Sequence, residues 1–203
     1  MFLAELITVA IIILFGCMSP GPDFVAVTSH ALSDRVKGLW VALGAAMAIS
    51  IWAALAVFGL DTVLSIFPWL YNVLRFGGAA YLVWLGGMIL WSTRSPSSSI
   101  ELGQPVPSTR AALWTGLLVG LANPKTAVFF GSIFLAVFPS NSPFWVHLST
   151  VVLTFAIALT WFSAVATLFS IGSITAIYSK FRRLIDRFLG LLLISLALRV
   201  AFW

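Results

Sequence analysis

The residues of this chain that could do chemistry gather in two short stretches of an otherwise oily sequence. One reads Gly16-Cys-Met-Ser19-Pro20-Gly21-Pro22-Asp23, the other Gly120-Leu-Ala-Asn123-Pro124-Lys125. Each starts with glycine, reaches a neutral hydrogen-bonding side chain three residues later, meets proline next and ends in a charge. Proline has no N–H, so a helix through Pro20 leaves the Gly16 carbonyl without its donor; Pro22 does the same to Met18, and Pro124 to Gly120. A carbonyl left open in hydrocarbon is costly and is tolerated only against protein or a water-filled cavity, so both breaks are expected to point inward. Gly16 and Gly120 carry no side chain, which exposes those carbonyls and lets helices approach closely.

Bare carbonyls before a break suit an ammonium group. The unpaired N–H groups where the helix restarts, at the positive end of its dipole, suit a carboxylate. An α-amino acid zwitterion presents both, and Ser19 and Asn123 add neutral partners at the same level. A charge deep in a spanning helix costs about 2.5–3.5 kcal/mol on insertion scales and marks a pathway, a proton relay or an ion pair. Asp23 can hold the substrate ammonium or carry a coupling proton, and Lys125 can neutralise the carboxylate or pair with Asp23. Structural roles also stand open, Asp23 as a first-turn carboxylate and Lys125 as a counter-charge between two halves. The candidate substrate-binding set is Gly16, Ser19, Pro20, Gly21, Pro22, Asp23, Gly120, Asn123, Pro124 and Lys125, with Asp23 as the proton-coupling candidate.

The elements that must position these residues follow from composition. The 203 residues are 61% hydrophobic and 8% charged, against about 25% charged in soluble domains, which makes this a membrane protein. Apolar runs of spanning length fall at about 4–28, 38–60, 69–92, 111–138, 145–170 and 184–202. The fold class is therefore all-α and integral to the membrane, with six transmembrane helices of which the first and fourth are broken at proline. The remaining loops leave no room for a soluble domain. Arg35 and Lys37, Arg94 and Arg110, and Lys180, Arg182, Arg183 and Arg187 lie in alternate connections. This bias places those loops in the cytoplasm and both termini outside, and explains the net charge of +5 without a nucleic-acid partner. Trp69, Trp91, Trp145 and Trp203 fall at span ends as an interfacial belt.

Several residues are read as inert. Cys17 is the sole cysteine and reads as a small packing residue; His30 and His147 fall near opposite surfaces, which excludes a metal pair. Glu5 and Asp61 read as solvated, Arg75 and Arg187 as snorkelling, and Gly44, Ala45, Ala48, Gly77, Gly78 and Gly86 as packing residues. Thr160, Trp161 and Ser163 can line a cavity. An intramembrane enzyme would need a nucleophile with a base, or paired carboxylates, and neither is present at depth. No cofactor is implied.

The chain also repeats itself. The Gly-x-x-Ser/Asn-Pro pattern recurs 104 residues on, and Arg75-Phe-Gly-Gly78 with Trp91 is echoed by Arg187-Phe-Leu-Gly190 with Trp203. Three helices per unit is an odd number, so the second unit must be inverted, a construction of secondary transporters with a midplane site. The reading is one transmembrane domain, 1–203, with repeat one at about 1–94, a Ser/Pro-rich linker at 95–109 and repeat two at about 110–203. A non-transporting scaffold would not require matched prolines and charges in the two halves.

Met18-Ser-Pro-Gly-Pro-Asp-Phe24 and Leu121-Ala-Asn-Pro-Lys-Thr-Ala127, in a six-crossing chain of this length, resemble the two signature segments of the lysine exporter / homoserine–threonine resistance (LysE/RhtB) family. The likeness runs the full length, including Asp186-Arg-Phe-x-Gly190, and is greatest to the threonine efflux branch. It implies a bacterial inner-membrane exporter of amino acids driven by the proton motive force, and allows a homodimer. The absence of paired membrane cysteines argues against a redox branch. The scarcity of intramembrane acids argues for a neutral substrate such as threonine or homoserine over a basic amino acid or a small cation, with branched or cysteine-related substrates as alternatives.

Overall fold

The computed structural model describes residues 2–19, 21–59, 66, 69–93, 107–127, 129–130 and 142–171, and from the last segment 181, 184, 187, 188, 190, 191, 194, 195, 197 and 198. Among them the only regular elements are helices. These are α1 (Phe2–Met18), α2 (Pro22–Ser33), α3 (Arg35–Ala54, continued by a π-turn over Leu55–Gly59), α4 (Leu70–Ser92), α5 (Thr109–Leu121) and α6 (Phe144–Phe169).

Local chemistry sets the boundaries. Gly21 precedes α2 in an extended conformation with Pro22 in the first helical turn, where its missing N–H costs nothing. Asp34, the one residue between α2 and α3, caps α3 by accepting from Val36 N at 2.9 Å and Lys37 N at 3.3 Å. Ser108, at the end of the expected linker, caps α5 through Ala111 N at 3.2 Å. Most of that linker, and Asp61, lie outside the described residues.

By length and hydropathy two continuous helices can cross a membrane, Arg35–Gly59 and Phe144–Phe169. The α1–α2 pair, bent by 58° at its break, makes a third if taken as one span. The expected first span, 4–28, thus appears as two helices that continue to Ser33, and the expected fourth stops after 13 residues at Leu121. The sixth lies largely outside the described residues.

The helix α3 is the centre, packed against α2, α5 and α6, while α1 lies on α6. Its core face is built from Val41, Ala42, Ala45, Ala48, Ile49 and Ala53, mostly small. Small residues matter because lipid supplies no hydrophobic drive for helix association, leaving close van der Waals approach to hold the bundle. A Cβ on Gly44 would strike the Leu113 carbonyl, and one on Gly116 the Val41 carbonyl. These contacts, with Gly120 against Ala48, show α3 and α5 running parallel. Ala31 packs on Gly38 beside the Asp34 turn, and Asp23 reaches Gly120 at the level of Ala48, so α2 runs opposite to both.

Of the glycines read as packing residues in the third span, Gly86 meets the Gly190 carbonyl at 2.7 Å from a notional Cβ, whereas Gly77 has no described atom within 4 Å. Arg187 does more than snorkel, since its Nε donates to Thr93 Oγ1 at 3.4 Å and ties the last segment to the end of α4. Both histidines are buried in helix packing. His30 Nδ1 lies 2.7 Å from the Ala26 carbonyl, and His147 meets the ring of Phe58 edge-on. Glu5 is half-buried, with Oε2 shielded from solvent.

Candidate substrate site between two broken helices

The second break holds itself together. After α5 ends at Leu121 the chain becomes helical again at 124–127. Asn123 starts that turn: its Oδ1 accepts from Lys125 N at 3.0 Å, while its Nδ2 donates to Asp23 Oδ2 at 2.7 Å. One buried amide therefore caps the restarted helix and binds the carboxylate of the other break, a short charge-assisted contact of the stronger kind. Thr126 Oγ1 adds a longer bond to the same oxygen at 3.4 Å. The Gly120 carbonyl, freed by Pro124, accepts from Trp52 Nε1 at 3.3 Å and from Asn123 N at 3.3 Å.

The first break is left open. Ser19 N still bonds to the Phe15 carbonyl at 3.1 Å, so α1 keeps its ladder up to the break. No side chain caps α2. Ser19 Oγ and Asp23 Oδ1 are both buried without a hydrogen-bond partner. Ser19 is 3% exposed and Asp23 6%, and a buried polar atom without a partner carries a penalty of about 1–3 kcal/mol. Asp23 sits in the first turn of α2, where the dipole favours a negative charge.

Lys125 joins the two breaks. Its Nζ donates to the Ser19 carbonyl at 2.7 Å and lies 3.4 Å from the Gly16 carbonyl, the one released by Pro20. Both Asp23 and Lys125 face the same cavity, yet among the described residues no ion pair within 4 Å joins them. One carboxylate oxygen is taken by Asn123 and Thr126, and the ammonium by backbone. Of the carbonyls expected to be bare, that of Gly16 is approached by the protein's own cation and that of Gly120 by an indole.

The cavity is small, with a volume of about 30 Å³. Gly16, Ser19, Gly21, Asp23 and Lys125 line it, together with Cys17 and Thr126; Ile13, Phe24, Ile49, Phe129, Phe130 and Phe162 form its apolar wall. Of the other expected site residues, Asn123 and Gly120 stand behind Asp23, Pro22 and Pro124 are exposed at helix starts, and Pro20 lies outside the described residues. A Cβ on Gly120 would come 3.2 Å from Asp23 Oδ1 and 2.5 Å from Ala48 Cβ, so glycine here makes room for the carboxylate. In α6 the wall residue is Phe162; Thr160 and Trp161 face a separate groove against Ala10, Ile11 and Leu14 of α1.

Five contributors were not singled out by residue type alone. Thr126 could have been, since it follows Asn123 at the three-residue spacing that places both on one helix face. Phe129 and Phe130 follow in the same restarted segment. Trp52 and Phe162 carry no local mark, being aromatic residues in long helices that hold others.

A largely apolar pocket that carries one carboxylate and one ammonium, closed by aromatic rings, is suited to hold a small zwitterion. Comparison with known proteins agrees with this chemistry. Residues 14–202 match the family model for the LysE type translocator. The threonine efflux protein of Escherichia coli (strain K12) is 33% identical over 193 residues, 92% of each chain. That of Salmonella typhi is 33% identical over 192 residues, 91% of each, and the leucine efflux protein of Enterobacter sp. (strain 638) is 30% identical over 192 residues, 92% of this chain and 90% of its own. No solved structure matches the chain. Matched over nearly its whole length, with both proline-broken segments inside the match, the chain belongs to the LysE type translocator family and is a membrane transporter, not an enzyme.

Proposed function

We propose that the protein exports small neutral α-amino acids, threonine or homoserine, across a bacterial inner membrane by proton antiport. Six crossings in one domain form two inverted repeats, about 1–94 and 110–203, joined by the 95–109 linker, with both termini outside and the breaks meeting near mid-membrane. The antiparallel course of α2 relative to α5 supports the inversion, because it brings the two broken helices to the cavity from opposite directions. Rocking of one repeat on the other then exposes the cavity to each side in turn.

The observation that carries this reading is the buried, half-satisfied carboxylate of Asp23, a residue that lines the cavity with Ser19 and Lys125 and whose Oδ1 has no hydrogen-bond partner among the described residues. Substrate ammonium finds Asp23, substrate carboxylate finds Lys125 and the open start of α2. A proton arriving from outside neutralises Asp23 as the amino acid leaves, and its loss to the cytoplasm restores the binding form. Purified protein in vesicles, loaded with labelled threonine and given an imposed pH gradient, should show gradient-driven flux. Asp23→Asn, matched in amount, should lose about 10–100-fold of it, the worth of one charge-assisted contact of about 1.5–3 kcal/mol. Full flux in Asp23→Asn, or flux indifferent to the gradient, would sink the proposal.

A second reading draws on the apolar wall. Phe129, Phe130, Phe162, Ile13 and Ile49 offer a surface that suits a leucine-like side chain better than a hydroxyl. Labelled leucine outcompeting threonine in the same vesicles decides for it.

A further inference from the structure

The Lys125 ammonium and a substrate's ammonium have the same chemistry, and the first break offers one set of backbone acceptors suited to either. Lys125 Nζ takes the Ser19 carbonyl at 2.7 Å and approaches the Gly16 carbonyl at 3.4 Å, reaching from the second break onto the end of α1. Its stem passes Gly21 at 3.4 Å from a notional Cβ, and Lys125 lines the cavity with Ser19 and Asp23, whose Oγ and Oδ1 have no partner among the described residues. The geometry points to these two carbonyls as a seat for a primary ammonium, filled by Lys125 here and taken over by the transported amino acid's own ammonium as Lys125 swings to its carboxylate. This rests on the amino acid export reading above. Lys125 is then a clasp between the two halves, and the substrate opens it by exchanging partners: its carboxylate is a stronger acceptor for Nζ than a neutral carbonyl, and its ammonium has three N–H groups, two for the carbonyls and one for Asp23. An N-acylated amino acid, having no ammonium, would leave the carbonyls bare and should not open the clasp.

The seat can be tested without any amino acid. In Lys125→Met the side chain keeps its bulk and loses its cation, so added methylammonium should occupy the carbonyls. Thermal unfolding of the purified variant in detergent should shift upward by about 3 °C once methylammonium reaches roughly ten times its dissociation constant. Wild type at equal ionic strength should not shift, and tetramethylammonium, which has no N–H, should stabilise neither. Lys125→Gln is measured the same way if the Met variant is not monodisperse. Absence of a methylammonium shift in the variant, or an equal shift in wild type, overturns the seat. Because no substrate is present, that failure would leave threonine flux through the wild type untouched, and a failure of flux would leave the seat standing.

Discussion

The two proline breaks come from the same local pattern and end in opposite conditions. At the second, Asn123 caps the new helix, donates to Asp23 and leaves no polar group of its own idle, while Trp52 closes the freed carbonyl of Gly120. At the first, serine occupies the matching place; its hydroxyl bonds to nothing, no side chain caps α2, and the carbonyls are held only by a lysine from the other break. The contrast separates a buttress from an open face. A break that satisfies itself is rigid and can position its partner, whereas one with unmet donors and acceptors gains by taking a ligand.

That division is open to direct attack. Asn123→Ala removes a cap and a charge-assisted bond together, and should lower the unfolding free energy by about 3 kcal/mol, read in detergent by thermal or chemical denaturation. Gly120→Ala should follow at about 2 kcal/mol, because its Cβ must displace Ala48 and crowd Asp23 Oδ1. Adding Ala48→Gly should recover part of that loss in a double-mutant cycle, and its failure to do so would place the strain on Asp23 instead. Trp52→Phe keeps a six-membered ring and deletes the pyrrole portion with its donor to the Gly120 carbonyl, for about 1.5 kcal/mol. Ser19→Ala at the open break should change stability least, within about 0.5 kcal/mol, since Oγ has no protein partner to lose. It should nonetheless weaken threonine binding about fivefold, one modest hydrogen bond, as measured by calorimetry. If Ser19→Ala is as destabilising as Asn123→Ala, the two breaks are alike and the contrast fails.

Much of the site was legible because it rests on rules local to a few residues. A proline frees a carbonyl in any helix, and a charge inside an apolar run must find a partner wherever it lies. Gly16, Ser19, Gly21, Asp23 and Lys125 do line one cavity, while the carbonyls at 16 and 120, expected bare for a bound molecule, take donors from the protein itself. The pairings were not legible. The sequence left open whether Asp23 and Lys125, opposite charges at matched depth, pair; in the structure Asp23 Oδ2 goes to an amide and a hydroxyl and Lys125 to backbone. Arg187 reaching Thr93, and Phe162 rather than its polar neighbours on the cavity wall, are similar cases.

By itself the sequence determined an all-helical membrane chain, the places where its helices break, and the family to which its two proline segments belong. These follow from hydropathy and from the covalent fact that proline cannot donate. Only the tertiary structure decided which break is the buttress and which the open face, and that the ammonium of Lys125 goes to carbonyls of α1 while the carboxylate of Asp23 goes to Asn123. The reason is geometric: hydrogen bonds depend on fractions of an ångström and on direction, and those are set where α2, α3 and α5 cross, through contacts between residues some 100 positions apart.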